Sequence, residues 1–332
     1  GRVAAQFKDL YRVVTEAGEV LAGVAGKLRF NAATPAAFPA VGDFVLLDRS
    51  DNTTGQAVIQ QVLTRTSVFV RKAAGTASTE QVVASNIDTV FICMSLNSDF
   101  NLRRLERYLA IAWSSGALPV VVLTKADLCA DVAAKVSEAE SVAIGTEILV
   151  TSSLAEDGHD QILPYLHCGS TAAFIGSSGV GKSTLINRLA GTAFATSGLR
   201  NDDKGRHTTT RRELIVLANG GVVIDTPGMR ELGLETADLA KGFADIDELA
   251  QQCRFRDCTH THETGCAVQQ AIQNGSLAAD RLASYQKLQK ELSYAGLDAR
   301  QLEMTKLNTM FKDVGGMKNA RRFLHNKDKR RR

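Results

Sequence analysis

Residues 176–183 read Gly-Ser-Ser-Gly-Val-Gly-Lys-Ser, after the apolar run Ala172–Ile175 and at the head of the helix-periodic stretch Lys182–Ala190. A glycine-rich turn that follows a buried strand and opens a helix is the context that gives such a motif its meaning. The glycines let successive backbone N–H groups close on phosphate oxygens, at a helix N-terminus that favours anions. The spacing G-x-x-x-x-G-K-[ST] therefore reads as a phosphate-binding loop. Gly176, Ser177, Ser178, Gly179, Val180, Gly181, Lys182, Ser183 and Thr184 are the expected contacts. Lys182 is expected to reach the β- and γ-phosphates, and Ser183 to ligate Mg²⁺. The alternative, a plain glycine-rich turn, does not account for the flanking strand and helix.

The surrounding chain has the rhythm such a loop needs. Apolar strands are expected at Thr89–Ser95, Leu118–Leu123, Glu147–Val150 and Ala172–Ile175. Helical periodicity joins them: Leu102, Leu105, Leu109 and Ala112 recur on one face before Gly116, Asp131–Glu140 follows, and Gln161–His167 is expected as a short helix. Glu213–Leu217 and Val222–Asp225 flank Asn219-Gly220-Gly221, a hairpin signal. Alternating strand and helix implies a mostly parallel sheet covered on both faces, with one antiparallel hairpin added.

Residues 1–75 differ. Short runs at Leu10–Thr15, Val20–Ala25, Lys27–Phe30, Asp43–Leu47 and Ala57–Val62 are punctuated by Gly, Pro, Asn and Asp. Five strands in so short a span suit a small β-barrel of the oligonucleotide-binding (OB) type. The small, polar stretch Arg71–Ser85 reads as a linker.

Three further motifs fall at the ends of expected strands. Thr124-Lys125-Ala126-Asp127 ends one; its aspartate can accept from the ring N–H and exocyclic amine of guanine, a donor pair that adenine lacks. The Lys125 stem can pack on the base, and Thr151-Ser152-Ser153 can offer amides to the guanine oxygen. A helix N-cap at Asp127 is the plainer alternative. Asp225-Thr226-Pro227-Gly228 ends another strand, placing Asp225 to hold the nucleotide's Mg²⁺ and the Gly228 amide to sense the γ-phosphate.

The chain carries a net charge of only +3, unevenly placed. From Lys312 to Arg332 nine Lys or Arg stand against two Asp, which is +7 on the tail and leaves −4 on the body. Such a tail suits an anionic partner, nucleic acid first, or is simply solvated. Exposed cations of the barrel, Arg2, Lys8, Arg12, Lys27 and Arg29, are the second candidate for RNA contact. Cys93, Cys129 and Cys168 are scattered and read as small buried hydrophobes. Cys253, Cys258 and Cys266 crowd together around His260 and His262, which suits a closed, tetrahedral, structural zinc site with either histidine as the fourth ligand.

The motif set resembles that of translation-factor-like GTPases, but in a rotated order. The base motifs (124–127, 151–153) precede the phosphate loop, and Gly205-Arg-His-Thr-Thr-Thr210 and the D-x-x-G stretch follow it. That order marks the circularly permuted GTPases. With a barrel in front and Cys-x4-Cys-x-His-x5-Cys behind, nearly the whole chain resembles the bacterial ribosome small-subunit-dependent GTPase A family. The resemblance implies contact with the small (30S) ribosomal subunit and its rRNA, action in its late maturation, and GTP-to-GDP hydrolysis stimulated by the ribosome. It also selects Cys253, Cys258, His260 and Cys266 as the zinc ligands.

The expected architecture is multidomain α/β: an OB-type barrel over 1–75, a circularly permuted P-loop GTPase domain over 76–237, and a helical zinc-binding domain with its basic tail over 238–332. The segment after Asp225 leads into the zinc domain, so a change of nucleotide would move that domain directly. Many GTPases place a water-orienting glutamine after the D-x-x-G glycine; Met229 stands there instead, and a thioether cannot do that work. His207 is the internal candidate for the hydrolytic group, with Thr209 closing on Mg²⁺. Two other readings are an rRNA-binding assembly module whose nucleotide site is only a scaffold, and an ATPase. Lys182, Ser183 and Asp225 speak against the first, Asp127 against the second. No apolar run approaches the roughly 18 residues of a membrane span. Residues 1–10 lack a signal-peptide core. A monomeric, cytoplasmic protein without membrane contact is expected.

Overall fold

The computed structural model describes residues 1–51, 53, 55–72, 80–152, 155, 158–191, 213–225, 239–294, 301 and 303–305. The chain opens with β1 (Arg2–Gln6), β2 (Tyr11–Thr15), β3 (Gly18–Val24), α1 (Gly26–Asn31), β4 (Val45–Leu47) and β5 (Ala57–Val62). These strands run in the order β1-β2-β3-β5-β4. An Arg2–Phe44 bridge brings β4 back to β1, and Val3 N donates to Asp43 O, Gly42 N to Val3 O and Val45 N to Gly1 O, each at 2.9 Å. Val3, Tyr11, Val13, Val20, Ala22, Val45, Ala57 and Ile59 form one core inside this ring.

One expectation for this region fails, and one strand was not expected. Lys27–Phe30 lies in a helix, not a strand. A strand would put Leu28 and Phe30 on one face, yet only Leu28 packs on the core while Phe30 is 90% exposed. The helix belongs to the crossover that the parallel β3–β5 pairing requires. The strand β1 carries a weak pattern, two alanines beside Val3, and is fixed instead by pairing with β2 on one side and a strand of the main sheet on the other.

Strands β6 (Val68–Lys72) and β7 (Glu80–Ser85) pair antiparallel as a separate two-stranded sheet. Arg71–Ser85 is thus not a plain linker: both its ends are strand. Its polar composition hides a buried run, Val82, Val83 and Ala84, of which Val83 and Ala84 join Phe69 in the main core.

The main sheet contains β8 (Thr89–Ser95), β9 (Leu118–Thr124), β10 (Glu147–Val150), β11 (Thr171–Ile175), β12 (Glu213–Val216) and β13 (Val222–Asp225). Its order is β10-β9-β8-β11-β13-β12; β12 alone of these runs antiparallel. Side chains alternate faces along a strand, and the two cores divide accordingly. Val90, Ile92 and Met94 of β8 face one core; Phe91 and Cys93 face the other. On the first face lies α2 (Leu102–Ser115), capped by Asn101 and ended by Gly116 at φ +86°; α3 (Val132–Glu140), capped by Asp131, follows β9. Helix α4 (Lys182–Gly191) covers the second face with Leu185, Ile186 and Leu189.

The main sheet continues into the N-terminal strands through β12 and β1, where Glu213 pairs with Ala5. Arg12 ion-pairs with Glu213 there, and Arg2 donates to Asn86 O at 3.1 Å and Thr171 Oγ1 at 2.8 Å. Both arginines are spent on this seam, which removes them from the RNA contacts expected of the barrel. Lys8, Lys27 and Arg29 remain exposed.

The described C-terminal helices are α5 (Leu239–Gly242), α6 (Ala244–Ala250), α7 (Ala267–Gln273) and α8 (Ala279–Ser293). They extend the first core, through Phe243, Ile246, Val268 and Leu288. Two ionic links seat them on α2: the more exposed pair of Arg107 with Glu291, and a buried cluster around Arg281. Arg281, 4% exposed, donates to Asp245 Oδ2 at 2.6 Å and to the fully buried Glu106 Oε1 at 3.1 Å, and lies over the Phe243 ring. A buried charge stripped of its partner typically costs about 3–5 kcal/mol, so this link fixes where the helices sit. Among the described residues no helix is long and apolar enough to cross a membrane. The tail from Lys312 lies outside the described residues.

Candidate functional site

Parallel pairing determines where the motifs meet. The register Ser95↔Thr124, Leu123↔Val150 and Ile92↔Ile175 puts the C-terminal ends of β8, β9, β10 and β11 on one edge of the sheet. Ligands of open α/β sheets bind outside those ends. A cleft of about 370 Å³ opens there, lined by Thr124, Lys125, Thr151, Ser178, Gly179, Val180, Gly181, Lys182, Ser183, Thr184 and Leu185. The base motif and the phosphate loop are therefore walls of one cavity.

The loop is pressed onto β8. Gly176 has φ +141°, and a Cβ there would stand 2.3 Å from Cys93 O, so no side chain fits. Lys182 Nζ donates to Gly176 O at 2.8 Å and Ser177 O at 2.6 Å, which folds its ammonium over the loop. The loop then opens α4, whose N-terminus adds its partial positive charge.

Thr124 has a role its motif did not reveal. Its hydroxyl, buried, donates to Val180 O at 2.6 Å and so ties the base motif to the phosphate loop. Lys125 follows at φ +58°, an uncommon value for a side-chain-bearing residue, and turns the chain into the short 3₁₀ helix Ala126–Leu128. That turn lets Ala126 N donate to Thr151 O at 3.2 Å, while Thr151 N donates to Leu123 O at 2.8 Å. Ser152 Oγ donates to Asp127 Oδ1 at 2.5 Å. The two base segments are thus bonded to each other, and Asp127 is exposed at the edge rather than lining the cleft.

Two partners escaped the sequence reading because they come from distant segments. Arg104, in the first turn of α2, donates to Ser177 Oγ of the loop. Arg188 of α4 donates to Ala155 O at 2.6 Å, beside the Thr151-Ser152 segment. Asp225 is the last residue of β13, next to β11 in the sheet; its side chain lies outside the described residues, as do Ser153, His207, Thr209, Gly228 and Met229. Cys93 is sealed, its thiol pushed up to about 12 by burial against a smaller opposing effect of Lys182, as a core hydrophobe should be. Cys129 is only half-buried and Cys168 is exposed, so the scattered cysteines are not all core.

The second site lies between α6 and α7. Ligand atoms of Cys253, Cys258, His260 and Cys266 all fall within 4.8 Å of one another. Cys253 Sγ is 3.8 Å from Cys266 Sγ; His260 Nδ1 is 3.6 Å from the first and 3.5 Å from the second. A tetrahedron with Zn–S of about 2.3 Å and Zn–N of about 2.0–2.1 Å has edges of about 3.8 and 3.5 Å. A disulfide would need its sulfurs at about 2.05 Å. The donor set and spacing fit zinc. His262 is outside this group; its N–H donates to Glu263 Oε2 at 3.1 Å. Glu263 also accepts from Thr259 N at 2.8 Å and Thr261 N at 2.9 Å, bonds that hold its carboxyl far below the usual range, with the Thr259 hydroxyl foremost. Gln269 Nε2 donates to His260 O at 2.6 Å. These bonds knit the turn in which His260 stands at φ +58°.

The comparisons with known proteins agree with this geometry. The sequence profile of the RsgA GTPase matches residues 62–235. The small ribosomal subunit biogenesis GTPase RsgA 2 of Lactiplantibacillus plantarum is 54% identical over 327 residues, 98% of this chain and 92% of that protein. RsgA 1 of Listeria innocua, which bears the same description, is 47% identical over 89% of this chain and 84% of its own length. The crystal structure of YjeQ from Thermotoga maritima superposes with a TM-score of 0.64 at 29% identity, covering 88% of this chain and 97% of that one. YloQ, described as a circularly permuted GTPase, superposes at 0.62 with 26% identity, over 88% and 94%. A base motif bonded to a phosphate loop that follows it in the chain is what the permuted order demands, and this chain belongs to the RsgA GTPase family.

Proposed function

We propose that this chain hydrolyses GTP on the small ribosomal subunit during late maturation of that particle, and that the subunit stimulates the reaction. The observation that carries the nucleotide part is the single cleft formed by Thr124, Lys125 and Thr151 with residues 178–185. The ribosomal part is supported by the names of relatives that match nearly the whole chain. In this reading Asp127 and Lys125 hold guanine, with Thr151, Ser152 and Ser153 beside the base. Residues 176–184 and the Gly228 amide hold the phosphates. Ser183, Thr209 and Asp225 would hold Mg²⁺, which neutralises charge building on the β- and γ-oxygens. Cys253, Cys258, His260 and Cys266 would hold one structural zinc.

Met229 cannot orient water, so the attacking water needs another partner. His207 is that group in our reading, an imidazole able to orient water or take a proton near neutral pH. His207→Ala is expected to keep GTP binding and lose most of the subunit-stimulated rate. Stimulation equal to wild type would remove the histidine from the reaction.

The ring β1-β2-β3-β5-β4 with its return to β1 supports an OB-type barrel, a fold with exposed strands and loops suited to RNA. Its exposed Lys8, Lys27 and Arg29 act with the basic tail on rRNA. The protein works as a cytoplasmic monomer in this account. Sedimentation with purified small subunits across a salt series tests it, comparing the full chain with one ending at residue 311. Each phosphate contact removed should flatten the dependence on salt. Loss of the tail should therefore weaken association and reduce its slope; identical curves would show a tail that touches no RNA.

A further inference from the structure

We propose that Arg104 is a positioning residue for the phosphate loop: through Ser177 it fixes the carbonyls that hold the Lys182 ammonium in place. The inference rests on the reading of residues 176–183 as the phosphate site.

The loop needs such a support. Gly176, Gly179 and Gly181 lie at φ +141°, +76° and +101°. Glycine enters these regions freely, and for that reason brings no order of its own. Side-chain bonds supply it. Thr124 from β9 holds Val180 O near the loop's far end. Lys182 holds Gly176 O and Ser177 O from within. Arg104 NH1 donates to Ser177 Oγ at 2.5 Å, a contact across 73 residues of chain. Ser177 is thus gripped by its carbonyl and by its hydroxyl, and the first grip is the phosphate-binding Lys182 itself.

Arg104 is well anchored. NH1 lies 2.8 Å from both Asp99 carboxylate oxygens. The Arg104 backbone N–H donates to Asn101 Oδ1 at 3.0 Å, the N-cap of α2. Upstream, Asn97 Oδ1 accepts from Ser95 Oγ at 2.9 Å and Asp99 N at 3.0 Å. The chain from the end of β8 to the first turn of α2 is therefore pinned bond by bond. Leu105, Leu109 and Ala112 bury the helix behind it. Asp99 offsets the guanidinium charge, so the arginine works as a hydrogen-bond donor to Ser177 and not as a second phosphate-binding cation. Both side chains of the pair are partly shielded from water, 29% and 38% exposed, which strengthens a charge-assisted bond beyond that of a fully solvated pair.

The test is calorimetric titration of the full chain with GDP and with a non-hydrolysable GTP analogue, in the presence of Mg²⁺. Arg104→Met and Ser177→Ala are each expected to weaken both nucleotides by about tenfold, the scale of one lost hydrogen bond to a charged group. Combined, they should again cost about tenfold rather than about a hundredfold, because they break one link. Arg104→Lys should recover part of the loss, and the preference for guanine over xanthine nucleotides should not move. A purely structural role for Arg104 would instead lower the melting temperature of the nucleotide-free chain and multiply with Ser177→Ala. Affinities within twofold of wild type, fully multiplicative losses, or a loss with Arg104→Met but none with Ser177→Ala would each overturn the proposal. If Arg104→Met does not fold, Ser177→Ala and Arg104→Lys decide it alone. A wild-type chain that bound neither nucleotide would refute the underlying site reading instead.

Discussion

Asp127→Asn should exchange guanine for xanthine. A carboxylate at this position accepts from the guanine ring N–H and exocyclic amine. The amide of asparagine places a donor where the amine needs an acceptor, and xanthine, with a carbonyl there, supplies the match. Two charge-assisted hydrogen bonds are at stake, so GTP affinity should fall at least about 100-fold while XTP affinity rises by a comparable factor. The fold should tolerate the change. Asp127 is exposed, and its Oδ1 accepts from Ser152, which an asparagine oxygen can still do. Titration of GTP, XTP and ATP against both proteins is the measurement. Unchanged GTP affinity in the variant, or ATP bound as tightly as GTP by the wild type, would end the guanine assignment.

Removing the metal should unfold the C-terminal helices and leave the nucleotide site standing. The four ligands hang on residues 253–266, and the stretch between Cys253 and Cys266 is turns and bends with no helix or strand of its own. Structural zinc contributes about 10–16 kcal/mol in small domains, as much as a whole domain's usual margin of 5–15 kcal/mol. Metal analysis should find one zinc per chain, and Cys258→Ser should lose it. Limited proteolysis of the variant should then cut in the region of α6 to α8. GTP binding should survive, because the α4 side of the sheet has its own core, from Phe91 and Phe174 to Leu185 and Leu189. A metal-free chain whose C-terminal helices stay resistant would contradict the zinc assignment.

The parts of this molecule that could be read from sequence are those whose signal is local. Thr89–Ser95, Ala57–Val62, Glu147–Val150 and Val222–Asp225 are strands over those very residues, since each is a β-rich run with clear breaks. Gly176–Ser183 was legible because backbone sterics and phosphate chemistry both act within eight residues. Lys27–Phe30 misled because its alternation is real while the burial it implies is not. Strand β1 was invisible because its stability comes from two neighbours, one of them more than 200 residues away. Arg2 and Arg12 looked like free surface charge for the same reason; only the fold shows Glu213, Asn86 and Thr171 beside them. Thr124 belongs to the base motif by its spacing and also holds the phosphate loop, a role no spacing rule contains. Nothing in the sequence ties Arg104 to Ser177, because the contact spans 73 residues of chain.

A GTPase site that responds to the small ribosomal subunit should turn over GTP faster when the subunit is present. GTP turnover by the full chain, measured alone and with purified small subunits at equal nucleotide, tests it most directly. Turnover alone should be slow, because Met229 supplies no group for the attacking water, and should rise at least about tenfold with subunits, a step of about 1.4 kcal/mol in barrier height. Lys182→Ala should be inactive in both conditions. A wild-type rate that is the same with and without subunits would contradict the account.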